Sequence, residues 1–280
     1  MRIVTLIENM KGDSKDLINE KGLCLYIEKD NKRILFDTGR TDNFISNAKK
    51  LGVSLESIDA VVISHGHGDH GGGLLSFLKI NNKAKVYMRR KALEDYYFHT
   101  IFFNESVRID KKVFEKYSSR INYIDSFTEI LNDIYIITDI EKAYDIPGGN
   151  KYLYVKERNE LIRDKFEHEL LLVIKEEDGI CIFTGCSHSG AANMIQAARN
   201  TFSNIKIKAI IGGFHLVRIP IIKWLSASQD EIDVITKKII DEKIEKVYTG
   251  HCTGEKGYKK LKNILGSRIE YISTGKEICI

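Results

Sequence analysis

The chain has 280 residues, 43% hydrophobic and 29% charged, the composition of an ordinary globular protein long enough for one large domain or two small ones. A net charge of +4, with only short basic clusters such as Lys237-Lys238 and Lys259-Lys260, lacks the concentrated stripe of a nucleic-acid binder and suits a small anionic substrate. No apolar run approaches the roughly 20 residues of a membrane span, the first nine residues turn polar too early for a secretory signal, and five cysteines without a CxxC pair do not make a disulfide framework, so no membrane partner and a cytoplasmic location are expected.

Residues 3–7 and 23–28 read as strands, and the polar segment 9–22 between them is either a substrate loop or a plain surface connection. Residues 33–36 form a further strand running into Asp37-Thr38-Gly39. A short helix is expected over 44–51, stopped by Gly52. The apolar run Ala60-Val61-Val62-Ile63 reads as a buried strand. It ends in Ser64-His65-Gly66-His67-Gly68-Asp69-His70-Gly71-Gly72-Gly73. Extended backbone points His65 and His67 the same way and leaves Asp69 and His70 in the turn to face a second ion. Three imidazoles and a carboxylate so close together are the mixed nitrogen and oxygen set that two ions about 3.5–4 Å apart require. A helix begins at Leu74, with an N-terminus that favours anions.

Residues 84–165 carry few motifs. Within them, 85–88 and 134–138 read as strands and 145–150 as a turn. Residues 91–103, with Tyr96, Tyr97, Phe98, His99, Phe102 and Phe103, read as a helix with a core face or as an aromatic substrate wall. The segment is long enough to be a cap inserted in a single 1–280 domain. It would then set substrate choice or supply the contact of a homo-oligomer.

In the second half, 170–174 and 180–184 form a hairpin whose second strand ends in Gly185-Cys186-Ser187-His188-Ser189-Gly190. After a helix over 191–199, a strand over 205–211 ends in Gly212-Gly213-Phe214-His215-Leu216. Ser228 caps a helix to about residue 242. A strand over 246–248 ends in Thr249-Gly250-His251-Cys252-Thr253-Gly254, and a helix near 255–264 and a strand at 268–272 follow. Six of the eight histidines thus stand at strand ends, where chance would scatter them. Neutral imidazoles on rigid edges are what a zinc site needs.

The HxHxDH turn after a strand, with FDTG, FTGCSHSG, GGFHL and HCTG, resembles the metallo-β-lactamase superfamily. Within it the chain is similar to the subgroup named for 7,8-dihydropterin-6-methyl-4-(β-D-ribofuranosyl)aminobenzene 5′-phosphate synthase. The resemblance implies an α/β fold, a four-layer αββα sandwich with two divalent ions at one sheet edge, most often zinc, with iron or manganese in some relatives. It gives His65 and His67 to one ion and Asp69 and His70 to the other. His188 and His251 then complete the two sets. Asp37 would organise backbone around the site without binding metal. Cys186 stands where a bridging aspartate is usual, as a thiolate ligand or as a turn residue only. His168 competes with His188 for one coordination position. His215 either meets substrate and moves a proton or makes a structural hydrogen bond, and Asp69 could hold a water proton while binding metal.

The expected activity is that of a metal-dependent hydrolase, or of a transferase releasing diphosphate as the subgroup's synthase does when it joins a dihydropterin methyl diphosphate to an aminobenzene ribofuranosyl phosphate. The substrate is a small, phosphorylated or pterin-like molecule. The alternatives are an iron-dependent oxidoreductase, against which stands the lack of a following flavin domain, a nuclease, which lacks its basic exosite, and a non-catalytic ligand sensor, against which stands the intact ligand set.

Overall fold

The computed structural model of the protein describes residues 1–219, 224–225 and 227–280. The chain forms two compact units. One comprises Met1–Ile124, Leu153–His168 and Ile272–Ile280, the other Asp125–Tyr152 and Glu169–Tyr271.

The first unit is built on a seven-stranded sheet in the order Glu277–Cys279, Arg2–Ile7, Cys24–Lys29, Lys32–Phe36, Ala60–Val62, Lys85–Met88, Ile121–Tyr123. Pairing is antiparallel through the first four strands and parallel after them. Phe36 lies opposite Val62, and Val62 opposite Tyr87, so three strands end at one edge. That edge is followed by Asp37 on one strand and by the histidine run on the next. The helices Asn43–Lys50 and Leu74–Ile80 lay Phe44, Ala48, Leu74 and Phe77 in one core with Val4, Leu6, Leu35, Val61 and Val86. Each such valine, leucine or phenylalanine side chain contributes about 1.5–3 kcal/mol on burial. The alternate strand residues Ile34, Phe36, Ala60 and Val62 are withdrawn from water too. That is why these strands read as unbroken apolar runs and not as alternation.

This unit also carries a four-stranded antiparallel sheet, ordered Glu160–Arg163, Leu153–Glu157, Tyr96–His99, Asn104–Ser106. The helix expected over 91–103 is therefore replaced by a 3₁₀ turn at Arg90–Leu93 and a strand. Consecutive aromatic residues favour a pleated strand. Tyr96 turns inward, only 1% exposed, whereas Ile101, Phe102 and Phe103 stand on the bare tip of the hairpin. The apolar spacing taken for a helical stripe is the sum of those two surfaces. Residues 84–165, read as a candidate cap, divide among three sheets: 85–88 and 121–123 join the first, 128–131 and 134–137 the sheet of the second unit, and 96–106 and 153–163 the four-stranded one.

The second unit has its own seven-stranded sheet, ordered Ile269–Tyr271, Lys246–Thr249, Ile207–Gly212, Gly179–Thr184, Leu171–Glu176, Ile134–Ile137, Thr128–Leu131. The first four strands are parallel, with Thr184 opposite Gly212 and Gly212 opposite Thr249. Three strands therefore stop together, and their loops leave from one edge. Gly212 is required there, because at φ +138° a Cβ would lie 1.8 Å from the Thr184 carbonyl oxygen. Helices Ala191–Thr201, Gln229–Asp241 and Gly254–Leu265 cover a core of Val173, Ile182, Ile195, Ile210, Ile232 and Val247. The helix starting at Gln229 opens on a capping box: the Ser228 hydroxyl accepts from Glu231 N–H, and the Glu231 carboxylate accepts from Ser228 N–H. No helix among the described residues is long and apolar enough to cross a membrane.

Candidate metal centre

In the first unit the site is organised by a buried carboxylate, that of Asp37. Asp37 follows its strand at φ +60°, a conformation costing about 1–3 kcal/mol for a non-glycine residue, and its N–H is fixed to the Val62 carbonyl. Its buried carboxylate accepts from Ser64 N–H at 2.8 Å, from Ser64 Oγ at 2.7 Å and from His70 Nδ1 at 2.6 Å. Because Ser64 gives its proton to Asp37, its oxygen accepts from His65 Nδ1 at 2.8 Å. Both rings thus carry their proton on Nδ1 and hold the lone pair on Nε2. The ring centroids of His65 and His70 are 4.1 Å apart, and those of His65 and His67 4.6 Å. Burial, and then the neighbouring His168, push the His67 pKa down to about 3, which favours the neutral imidazole.

His168, read from the sequence as a competing ligand, uses both nitrogens otherwise. Nδ1 accepts from Gly66 N–H at 2.8 Å, and Nε2 donates to Asp164 at 2.9 Å. Burial works to raise the Asp164 carboxyl, and the His168 ring overcomes it and holds the group below its usual range. His168 is thus a strut that orders the turn between His65 and His67. Gly66 has no room for a side chain, since a Cβ would meet the Tyr96 ring at 2.5 Å. Asp69 and His70 sit in the one-turn helix Gly68–Gly71. The His70 carbonyl accepts from Thr38 N–H at 2.6 Å and the Asp69 carbonyl from Leu23 N–H at 3.2 Å, while Lys21 lies 3.3 Å from the Asp69 carboxylate. Segment 9–22 is pinned beside them: the Glu20 carboxylate accepts from the N–H groups of Arg40 and Thr41.

In the second unit the loops after the three parallel strands carry His188, His215 and His251. Ser187, His215 and His251 all have positive φ, +56°, +46° and +51°. His188 Nδ1 donates to Asn150 Oδ1 at 2.9 Å, and Asn150 Nδ2 donates to the His188 carbonyl at 2.7 Å. This fixes the same tautomer as in the first unit, with the lone pair on Nε2. The buried Glu169 carboxylate accepts from His188 N–H and Ser189 N–H, both at 2.7 Å. The Ser187 hydroxyl donates to the Gly213 carbonyl at 2.7 Å, and Thr253 Oγ1 accepts from Phe214 N–H at 2.9 Å. His251 begins a 3₁₀ turn, His251–Thr253. The His215 ring lies 4.2 Å from that of His188, and the His215 backbone N–H donates to Cys252 Sγ at 3.3 Å. Burial works to raise the Cys252 thiol, but contacts with Cys186 and His215 hold it well below its ordinary range.

The structure thus groups His65, His67, Asp69 and His70, with Asp37 and His168 behind them, in one unit, and His188, His215, His251 and Cys186 in the other. Four residues with clear work here have no role in the sequence reading: Asn150, Asp164, Glu169 and Cys252. Asp164 and Glu169 flank His168 as acids just ahead of the hairpin expected from 170. Asn150 closes a turn-like PGGN, and Cys252 stands inside the quoted HCTG.

A profile of the metallo-beta-lactamase superfamily matches residues 19–188. The chain is 29% identical to the 7,8-dihydropterin-6-methyl-4-(beta-D-ribofuranosyl)-aminobenzene-5′-phosphate synthase of Methanocaldococcus jannaschii, over 99% of this chain and 96% of that one. Among solved structures it is similar to a metal-dependent hydrolase of the beta-lactamase superfamily, with 31% identity, a TM-score of 0.83, and 100% and 99% of the two chains covered. Zinc-bound PqqB from Methylobacterium extorquens shares the fold at 11% identity, with a TM-score of 0.63 over the full length of both chains.

Proposed function

The chain belongs to the metallo-β-lactamase superfamily of metal-dependent enzymes, and we propose that it is a dinuclear hydrolase or diphosphate-releasing transferase acting on a small phosphorylated or pterin-like molecule. The observation that carries this reading is the preset tautomer of His65, His70 and His188. In each, Nδ1 is engaged by serine, aspartate or asparagine, which puts the lone pair on Nε2, the nitrogen that would bind a cation. With the neutral His67 and the carboxylate of Asp69, these residues fit a divalent ion of the zinc type. In the proposed assignment His65, His67 and His188 hold one ion, and Asp69, His70 and His251 the other. Cys186 and His168 stay outside both sets. When bound, such ions supply Lewis acidity toward phosphoryl oxygen and acidify water.

The chain's own residues do the rest. Asp69 accepts a proton from the attacking hydroxyl group, and Lys21 lies 3.3 Å from its carboxylate. His215 donates a proton to the departing group. Asp37 and Asn150 hold their imidazoles in single orientations, so no reorganisation is needed as charge develops. The archaeal synthase's name, with its pterin and phosphate, supports a phosphorylated substrate, as does the mildly cationic chain.

The test is elemental analysis of protein purified without added metal, followed by a panel of phosphoesters, lactones and pterin diphosphates. The reading expects at least two ions per chain and turnover confined to phosphorylated compounds. Turnover of lactones alone, or fewer than two ions at saturation, would overturn it.

A further inference from the structure

Three of the side chains at the strand ends of the second unit form a cluster that the six proposed ligands do not use. The sulfurs of Cys186 and Cys252 and a ring nitrogen of His215 all lie within 4.8 Å of one another. Cys252 comes from the loop after Lys246–Thr249, His215 from the loop after Ile207–Gly212, and Cys186 from the loop after Gly179–Thr184. The in-register parallel strands bring these three loops to one edge, although the two cysteines are 66 residues apart in sequence. The cluster is also built. Gly213 keeps it open, because a Cβ there would lie 2.5 Å from Cys252 Sγ. His215 is held at φ +46°, and its Nδ1 is buried without a hydrogen bond. Its backbone N–H binds Cys252 Sγ, and that sulfur lies 3.6 Å from the Cys186 carbonyl. The other three cysteines, Cys24, Cys181 and Cys279, take no part.

We propose that Cys186, His215 and Cys252 form a third cation site, specific for a thiophilic ion such as Zn²⁺ or Cd²⁺. Two thiolates and one imidazole are the ligand set of a soft, four-coordinate ion that keeps one position open. A buried imidazole nitrogen lacking a partner is costly unless an ion or a donor satisfies it. Binding through Nδ1 leaves the proton on Nε2, so His215 can only donate there. That consequence rests on the proton-donor role assigned above, whereas the site itself does not.

The test is a Cd²⁺ titration of the reduced, metal-free full chain, reading bound equivalents and the ultraviolet thiolate-to-cadmium charge-transfer band. The wild type should take up three equivalents and develop a two-thiolate band. Cys252→Ser should take up two, with the band reduced to about half or less. His215→Ala should weaken the third equivalent without removing the first two. Saturation of the wild type at two equivalents with no charge-transfer band would overturn the proposal, and this result needs no variant to fold. So would a band that Cys252→Ser leaves intact, which would place Cys186 alone on the dinuclear pair. Fewer than two equivalents in Cys252→Ser with a normal melting transition would instead count against the dinuclear reading.

Discussion

The two units solve the same problem with different chemistry. Each stops parallel strands together and hangs histidines from the edge, and in each the Nδ1 of an imidazole is engaged from behind. In the first unit the group behind His70 is the Asp37 carboxylate itself, and the one behind His65 is a serine polarised by that carboxylate. In the second unit the ring of His188 leans on a neutral amide, Asn150, while the buried carboxylate of Glu169 holds backbone N–H groups and not the ring. A carboxylate partner makes an imidazole a more basic ligand, whereas an amide only orients it. The first unit also carries an oxygen ligand candidate, Asp69, where the second carries the thiols of Cys186 and Cys252. The imidazoles of one unit are preset by charge and those of the other by geometry.

Removing the charge should give the largest effect. Asp37→Ala leaves Ser64 N–H, Ser64 Oγ and His70 Nδ1 buried without their acceptor, and loss of such a buried hub costs about 3–5 kcal/mol. Urea denaturation should show that loss, and metal affinity at His70 should fall by at least the 10–100-fold typical of a lost partner behind a ligand. A loss under about 1 kcal/mol would erase the contrast between the units.

The next effect is a pH dependence that belongs to the first unit. His67 is held neutral to about pH 3, against an ordinary value of 6.5. Between those values the unfolded chain binds a proton that folded His67 refuses. Its contribution is therefore fully present above 6.5 and declines as the pH falls toward 3. One proton over the interval from 6.5 to 5 amounts to about 2 kcal/mol. Metal-free wild type should lose that much more than His67→Gln across the interval, followed by urea denaturation at each pH. Parallel pH profiles of the two proteins would contradict it.

Asn150→Ala should cost less, about 1–3 kcal/mol for two buried neutral hydrogen bonds. Asn150→Asp sharpens the comparison, because it gives His188 the partner that His70 already has. It should raise metal affinity at His188 relative to Asn150→Ala, measured by competition with a chromophoric chelator. Smallest of all, Ser228→Ala removes one helix cap far along the chain from any ligand. It should lower stability by about 1 kcal/mol and leave the metal content unchanged.

The contrast between the units also explains what could be read from the sequence. Strands that run as unbroken apolar residues into glycine-rich turns announce themselves, so the 60–70, 179–190 and 246–254 segments were legible, as were the helix cap at Ser228 and the organising role of Asp37. The supports were not. Asp164 and Glu169 act through contacts to Gly66, by way of His168, and to the 188–189 backbone, and no local spacing encodes those pairings. His168 competed with His188 in the sequence reading, because a histidine beside a strand carries no mark of where its nitrogens point. The 91–103 run misled for a different reason. A buried Tyr96 and a bare hairpin tip at Ile101–Phe103 add up to an apolar density that periodicity cannot separate from a helix face. Cys252 was visible within HCTG, but its convergence with Cys186 depends on the register of three parallel strands.

The most direct measurement of the central claim, that the preset imidazoles of both units serve divalent ions, is the number of ions bound per chain at saturation in wild type and in His188→Ala, by elemental analysis after removal of excess zinc. The account predicts that His188→Ala, folded as judged by its melting transition, holds at least one ion fewer than the wild type at equal free zinc. Full stoichiometry and unchanged affinity in His188→Ala would contradict it.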